Sequence, residues 1–140
     1  MKLFLDTSVL LAACGSDHGA SHAVFDYAPA LRWTLISTPY VVDEVLGNLP
    51  ILPSAATSKW ARLRQTLILM DDVLTLDRIV VFEPAKDRPI LFSALAWSDA
   101  LLTLDRRDFG ALLGRSFYGL PVLTPAMFLQ RERDEGRLTG

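Results

Sequence analysis

Met1-Lys2-Leu3-Phe4-Leu5-Asp6-Thr7-Ser8 opens the chain with three large apolar residues in a row, cut off by a carboxylate. A short apolar run bounded by polar residues reads as a strand buried on both faces, the kind found in parallel sheets covered by helices. A second run, Ala100-Leu101-Leu102-Thr103-Leu104, ends the same way, in Asp105-Arg106-Arg107-Asp108-Phe109. Two such strands would each deliver an acid to the same sheet edge. In open parallel sheets the crevice outside the carboxyl ends of the strands is where ligands bind, so Asp6 and Asp105 are candidate site residues.

Between and beyond these runs, β-type stretches alternate with helical patterns. Residues 2–5 read as a strand, and a helix runs from Ser8 to Cys14, stopped by Gly15. A second helix is expected over 21–31, weakened near its end by Pro29, followed by a strand over 33–37. Thr38-Pro39 then supplies a cap residue and a first-turn proline for another helix. Ala56, Trp60, Leu63, Leu67 and Met70 form an apolar stripe that predicts a helix over 55–70. Residues 79–82, Ile-Val-Val-Phe, read as a central strand, and residues 90–97 as a helix apolar on nearly every face. The expected remainder is a strand over 100–104, a short helix over 107–113, a strand at Val122-Leu123, a helix over 124–135, and a fraying tail. This order predicts a single three-layer α/β domain over 1–140, with a mostly parallel central sheet flanked by helices.

Composition narrows the function classes. The chain has 140 residues and a formal charge of −2, so nucleic-acid binding would have to rest on local patches and metal rather than bulk charge. Cys14, the single cysteine, excludes disulfide frameworks and cysteine zinc sites and reads as a buried structural thiol. The opening apolar run breaks at Asp6, which argues against a signal peptide, and nothing reaches the length of a membrane span; a cytoplasmic protein is expected. Hydrophobic residues make up 51% of the chain. With residues 90–97 and the stripe Trp60, Leu63 and Leu67, that excess predicts a homodimer and a further partner covering the remaining apolar surface.

Two more acids join the edge. In Pro39-Tyr40-Val41-Val42-Asp43-Glu44-Val45-Leu46-Gly47-Asn48-Leu49 the apolar stripe is Val42, Val45, Leu46 and Leu49, with Val41 at its margin. Tyr40, Glu44 and Asn48 share another face at i, i+4 and i+8, which puts Glu44 on a polar row near the helix start. Asp43 points elsewhere, as a first-turn acid favoured by the helix dipole. Asp87 follows the strand over 79–82 and precedes Pro89, where it can be a helix cap, a ligand or both. Gathering Asp6, Glu44, Asp87 and Asp105 would cost about 4 kcal/mol per close pair at an effective dielectric of 20. A cation resolves that repulsion, and oxygen ligands without His or Cys select Mg²⁺ or Mn²⁺. Metal-activated water attacking a phosphodiester is the chemistry such a site supports.

Other residues draw plainer readings. Leu74-Thr75-Leu76-Asp77-Arg78 repeats as Leu102-Thr103-Leu104-Asp105-Arg106, yet Asp77 precedes its strand where Asp105 follows one, so Asp77 is a turn residue at the opposite edge. His18 and His22 have ligand spacing but no third ligand. Trp60 lies among Lys59, Arg62 and Arg64 but on an apolar stripe, which favours a core or dimer contact over base stacking. Asp99 reads as a turn acid. Arg106, Arg107 and Arg115 flank the acids and are candidate phosphate contacts, whereas Arg131, Arg133 and Arg137 alternate with Glu132, Asp134 and Glu135 as a solvated face.

Taken together, these segments resemble the PIN-domain ribonucleases, the class that includes the VapC-type toxins of toxin-antitoxin pairs. Leu3-Phe4-Leu5-Asp6-Thr7-Ser8-Val9-Leu10 resembles the family's opening motif, Thr38-Pro39 through Glu44-Val45 its second acid, and Lys86-Asp87-Arg88-Pro89-Ile90-Leu91 its third. The fourth is matched by Leu102-Thr103-Leu104-Asp105-Arg106-Arg107-Asp108-Phe109-Gly110, and the ending by Gly119-Leu120-Pro121-Val122-Leu123-Thr124-Pro125. The resemblance implies catalytic acids Asp6, Glu44, Asp87 and Asp105, with metal on Asp6, Asp87 and Asp105. It also implies Asp108 assisting at the rim, Ser8 and Thr103 steadying the carboxylates, an RNA substrate and an antitoxin partner. Leu104 departs from the pattern, where a glycine is common, and a bulkier residue there could narrow the mouth or shift Asp105.

Rival classes fit less well. A haloacid-dehalogenase-type phosphatase needs a second acid two residues after Asp6, where Ser8 stands, and a receiver-type signalling domain needs a lysine after a late strand, where Thr124-Pro125 stands. The remaining alternative is a catalytically weak or inactive PIN scaffold that binds protein or RNA.

Overall fold

The computed structural model describes residues 1–74 and 87–139. The strand expected over 79–82 and the turn assigned to Asp77 lie outside the described residues. Along the chain run β1 (Lys2–Leu5), α1 (Thr7–Gly15), α2 (Ala20–Leu31), β2 (Thr34–Ser37), α3 (Pro39–Asn48), a 3₁₀ turn (Leu49–Ile51) and α4 (Ala55–Arg64). These are followed by β3 (Ile68–Leu69), α5 (Arg88–Trp97), β4 (Ala100–Leu102), β5 (Arg115–Phe117), β6 (Leu120–Leu123) and α6 (Pro125–Asp134). The described strands form one sheet in the order β3-β2-β1-β4-β6-β5, flanked by the helices. Every pairing is parallel except β5 with β6.

β1 is central because its side chains are apolar on both faces: Leu3, Phe4 and Leu5 are fully buried, as are Leu101 and Leu102 of β4. Each such side chain stabilises the fold by about 1.5–3 kcal/mol relative to leaving it in water. The ladder continues one residue past the strand ends, through Asp6 N–H to Leu102 O at 3.1 Å and Thr103 N–H to Leu123 O at 3.0 Å. Asp6 and Thr103 therefore leave adjacent strands at the same edge. At the opposite edge the Asp99 carboxylate accepts from Lys2 N at 2.8 Å, which confirms it as a turn acid remote from Asp6.

Tertiary packing corrects several local expectations. The helix expected over 55–70 ends at Arg64; Leu67 is still buried, but Ile68–Leu69 add an edge strand beside β2. The stretch 107–113 is a series of turns rather than a helix, and the following residues form the antiparallel strand β5. Gly110 explains part of this, since a Cβ there would lie 2.2 Å from the Arg106 carbonyl oxygen. On α3 the buried row is Val41, Val45 and Leu49, while Val42 is half-buried and Leu46 is 51% exposed, so the helix is rotated from the expected stripe.

The C-terminal segment is also tied down. Glu132, expected on a solvated face, is 1% exposed and takes two hydrogen bonds from the Arg137 guanidinium, at 2.6 and 2.9 Å. Gly136, at φ +76°, turns the chain so that the Arg137 and Leu138 amides reach Glu132 O, and Leu138 is buried. Trp60, Leu63, Leu67 and residues 90–94 are buried within the single chain, so they do not furnish the apolar surface on which a dimer was expected. Cys14 is buried, which pushes its thiol pKa up. Among the described residues no helix is long and apolar enough to cross a membrane.

Candidate metal centre

Asp6, Glu44, Asp87 and Asp105 line one cavity of about 280 Å³ at the carboxyl edge of the sheet, together with Thr7, Ser8, Leu11 and Asn48. Four segments meet there: the end of β1, the middle of α3, the start of α5 and the turns after β4. One carboxylate oxygen each from Asp87, Asp105 and Asp108 lies within 4.8 Å of the other two. Asp108, placed at the rim by resemblance, thus shares an acid cluster with Asp87 and Asp105, while Asp6 and Glu44 line the same cavity as those two.

Asp6 does two jobs through its two oxygens. Oδ1 accepts from Thr7 N at 2.7 Å and caps α1, while Oδ2 accepts from Thr103 Oγ1 at 2.6 Å and Ser8 Oγ at 3.0 Å. Those hydroxyls in turn accept from Leu104 N at 2.9 Å, on Ser8, and from Asp105 N at 3.0 Å, on Thr103. A hydroxyl that donates one way and accepts the other locks both partners, so Ser8 and Thr103 couple the position of Asp6 to the backbone that carries Asp105. Asp6 is 3% exposed, and that burial pushes its carboxyl up to about 6. The hydrogen bonds from Thr103, Ser8 and Thr7 oppose the rise, and the neighbouring Glu44 charge adds to it.

Asp105 Oδ1 accepts from the Arg107 and Asp108 amides, both at 3.0 Å, which folds the turn and brings Asp108 back toward Asp87. The turn is anchored by Phe109, fully buried. Asp87 stands at the cap position of α5 but its side chain makes no cap hydrogen bond. The residue is 5% exposed, and one of its carboxylate oxygens belongs to the cluster with Asp105 and Asp108. Glu44 Oε1 accepts from Thr7 Oγ1 at 2.9 Å, a link between α1 and α3 that sequence reading missed, because it joins residues 37 apart.

Around this centre Arg106, Arg107 and Arg115 are exposed, with Arg115 on β5 opposite Val122 near the carboxyl end of β6. Leu104 is 40% exposed and is not among the residues lining the acid cavity; its side chain lines a neighbouring one. His22 sits between carboxylates, 3.1 Å from Asp26 and 3.7 Å from Asp17, rather than pairing with His18.

No family model matches the chain, and no curated protein matches it. Solved structures do. A chain of VapBC2 from Rickettsia felis, bound to a DNA fragment from their promoter, aligns with a TM-score of 0.61 at 14% identity, covering 87% of this chain and 97% of that one. The fold is PIN-like. Mycobacterium tuberculosis VapC20, a sarcin-ricin loop cleaving toxin, aligns with a TM-score of 0.48 at 17% identity, covering 81% of this chain and 96% of that one. Within the PIN-like fold, the β1 and β4 ends, the α3 face and the α5 start are the places from which Asp6, Asp105, Glu44 and Asp87 reach one cavity.

The donor set suits a hard divalent cation. Close-set carboxylate oxygens without imidazole or thiolate are ligands for Mg²⁺ or Mn²⁺ rather than zinc. Burial first, and the Glu44 charge second, keep Asp6 from ionising freely, and a cation placed among the acids would favour its charged form and offset both.

Proposed function

We propose that this chain is a metal-dependent endoribonuclease that acts as the toxin of a toxin-antitoxin pair. The observation that carries the reading is the convergence of Asp6, Glu44, Asp87 and Asp105 on one cavity, with Asp87, Asp105 and Asp108 close enough to share an ion. Asp6, Asp87 and Asp105 would hold Mg²⁺ or Mn²⁺, with Asp108 beside them. The bound ion would supply positive charge for a phosphate and lower the pKa of water at neutral pH.

The chain's own groups do the rest. Ser8 and Thr103 hold Asp6 in one orientation and keep Asp105 in register with it. Glu44, held by Thr7, lines the same cavity with a carboxylate that can take a proton from an attacking water. Arg106, Arg107 and Arg115 provide exposed cations for the flanking phosphates of an RNA strand.

The structural likeness to a VapBC2 chain supports an antitoxin as protein partner and a cytoplasmic setting for the pair. A homodimer remains part of the proposal, tested by sedimentation at tens of micromolar, where a clean monomer removes it. The decisive experiment is cleavage of single-stranded or structured RNA by purified protein with Mg²⁺ or Mn²⁺, its loss in EDTA, and its loss in Asp6→Asn. An Asp6→Asn protein that cleaves as well as the parent would refute the metal-site reading. A scaffold that only binds a partner has no use for acids packed this closely, which favours the nuclease over the inactive alternative.

A further inference from the structure

The start of α3 is capped from outside its own helix. Thr38 holds the cap position, yet its side chain makes no cap hydrogen bond, and Pro39 has no amide to satisfy. The next amide, that of Tyr40, donates instead to Asp72 Oδ2 at 3.1 Å, on a residue 32 positions further along the chain. A carboxylate there meets both the amide and the positive end of the helix dipole, which makes the contact a charge-assisted cap.

Asp72 reaches this place because the segment that carries it is pinned along its length. Met70 N donates to Ser37 O at 2.9 Å, at the end of β2. Val73 N donates to Ser93 Oγ at 2.9 Å, and Trp97 Nε1 to Asp71 O at 2.9 Å, both on α5. Residues 70–73 thus form a strap between α3, which carries Glu44, and α5, whose start carries Asp87.

Two buried atoms show that the strap takes precedence over the local cap. Thr38 is fully buried, and among the described residues neither its Oγ1 nor the buried Asp72 Oδ1 has a hydrogen-bond partner. A threonine at the cap position ordinarily places its hydroxyl on the second or third amide of its own helix. Here the carboxylate holds the second amide, and the fold bears the cost of a buried unpaired hydroxyl.

Glu44 lies one turn beyond Tyr40 on the same face of α3. Its Oε1 meets Thr7 Oγ1 at 2.9 Å, and the residue lines the acid cavity. Buried Val41 and Val45 press α3 against the core, but apolar burial is non-directional. The cap is what fixes the height and rotation of the helix start.

We propose that Asp72 is a positioning residue for Glu44: by capping α3 from the strap, it sets where the Glu44 carboxylate meets Thr7 and the cavity. The task of Glu44 as proton acceptor rests on the ribonuclease reading. Its placement by Asp72 does not, and the experiment reads the two separately.

In EDTA, the Glu44 carboxyl resonance of the full chain, made with isotope-labelled glutamate, is identified by its loss in Glu44→Gln. Asp72→Ala should move that resonance by more than its linewidth. Asp72→Asn, whose Oδ1 can still accept from Tyr40 N, should leave it at the parent position. In RNA cleavage with Mn²⁺, Asp72→Ala should lower kcat about tenfold, part of the roughly 100-fold or more that a positioned general base contributes. KM and Mn²⁺ affinity should stay unchanged, because Asp6, Asp87 and Asp105 would hold the ion, and Asp72→Asn should recover most of kcat. Should Asp72→Ala fail to fold, Asp72→Glu, which moves the same charge by one methylene, carries the same expectations. A cap that serves stability alone would lower the melting temperature while leaving the Glu44 resonance and kcat unchanged, and that result overturns the proposal. Mn²⁺ affinity falling in step with kcat overturns it as well, since the whole site would then have collapsed. If the parent does not cleave RNA, the ribonuclease reading fails, and the Glu44 resonance by itself upholds or overturns the placement.

Discussion

Replacing Asp6 with Asn should make the metal-free protein more stable at neutral pH, although the same change removes a proposed metal ligand. Burial holds the Asp6 carboxyl at about 6, against 3.8 for the free side chain. Its folded pKa lies above its unfolded one, so the folded state holds the proton more tightly. The associated stability is fully present below about pH 4 and is lost as pH rises through about 6. At about 1.36 kcal/mol per pKa unit, carrying this group ionised in the metal-free fold costs about 3 kcal/mol at pH 7. Asn is neutral at every pH and escapes that loss, though Thr103 must then turn its 2.6 Å hydrogen bond toward an amide. Urea denaturation of parent and variant in EDTA at pH 4, 5, 6 and 7 measures the difference, in which titrating groups that do not interact with Asp6 cancel. The variant's advantage should be near zero at pH 4, grow through pH 6, and level off at up to about 3 kcal/mol. Adding Mg²⁺ at pH 7 should close the gap by stabilising the parent more than the variant. A difference that is flat with pH, or a variant less stable than the parent at pH 7, would refute the account of Asp6.

Three further outcomes follow from the geometry. Asp105→Asn should cut metal-dependent RNA cleavage by at least about 100-fold, the scale of losing one key electrostatic group, whereas Asp77→Asn, in the other copy of the repeated pentapeptide and read from sequence as a turn residue, should change it less than about twofold. Melting curves check the placement: Mg²⁺ should raise the melting temperature of Asp77→Asn clearly more than that of Asp105→Asn. Gly110→Ala should disturb the turn that carries Asp105 and Asp108, because its Cβ meets the Arg106 carbonyl oxygen at 2.2 Å; a fall in Mn²⁺ affinity by calorimetry is the expected reading, and unchanged affinity would show that the turn tolerates it. Leu104→Gly should leave kcat within about twofold, since Leu104 does not line the acid cavity; a large gain in kcat would show that it obstructs the site after all.

How much was legible beforehand depended on the range of the interaction. β1 and β4 could be read because strands buried on both faces are written as uninterrupted apolar runs, and the acids that end them then fall at one edge of a parallel sheet. Glu44 could be read because helical periodicity separates it from the buried face of α3, even though that face proved to be centred on Val41 and Val45. Other features depended on contacts distant in sequence. Ile68–Leu69 became a strand because the edge of β2 was there to pair with, against a stripe that continued the helix. The 107–113 stretch became turns because the Asp105 carboxylate captured two amides and Gly110 allowed the close approach. Glu132 was buried because Arg137 came back to meet it. The sequence by itself determined which residues are acids, which segments are apolar, and in what order they alternate. Tertiary structure decided that Asp108 stands with Asp87 and Asp105, that Thr7 holds Glu44, and that Leu104 faces away from the acids, because side-chain partners 20 to 100 residues apart are chosen only when the sheet and its helices are packed.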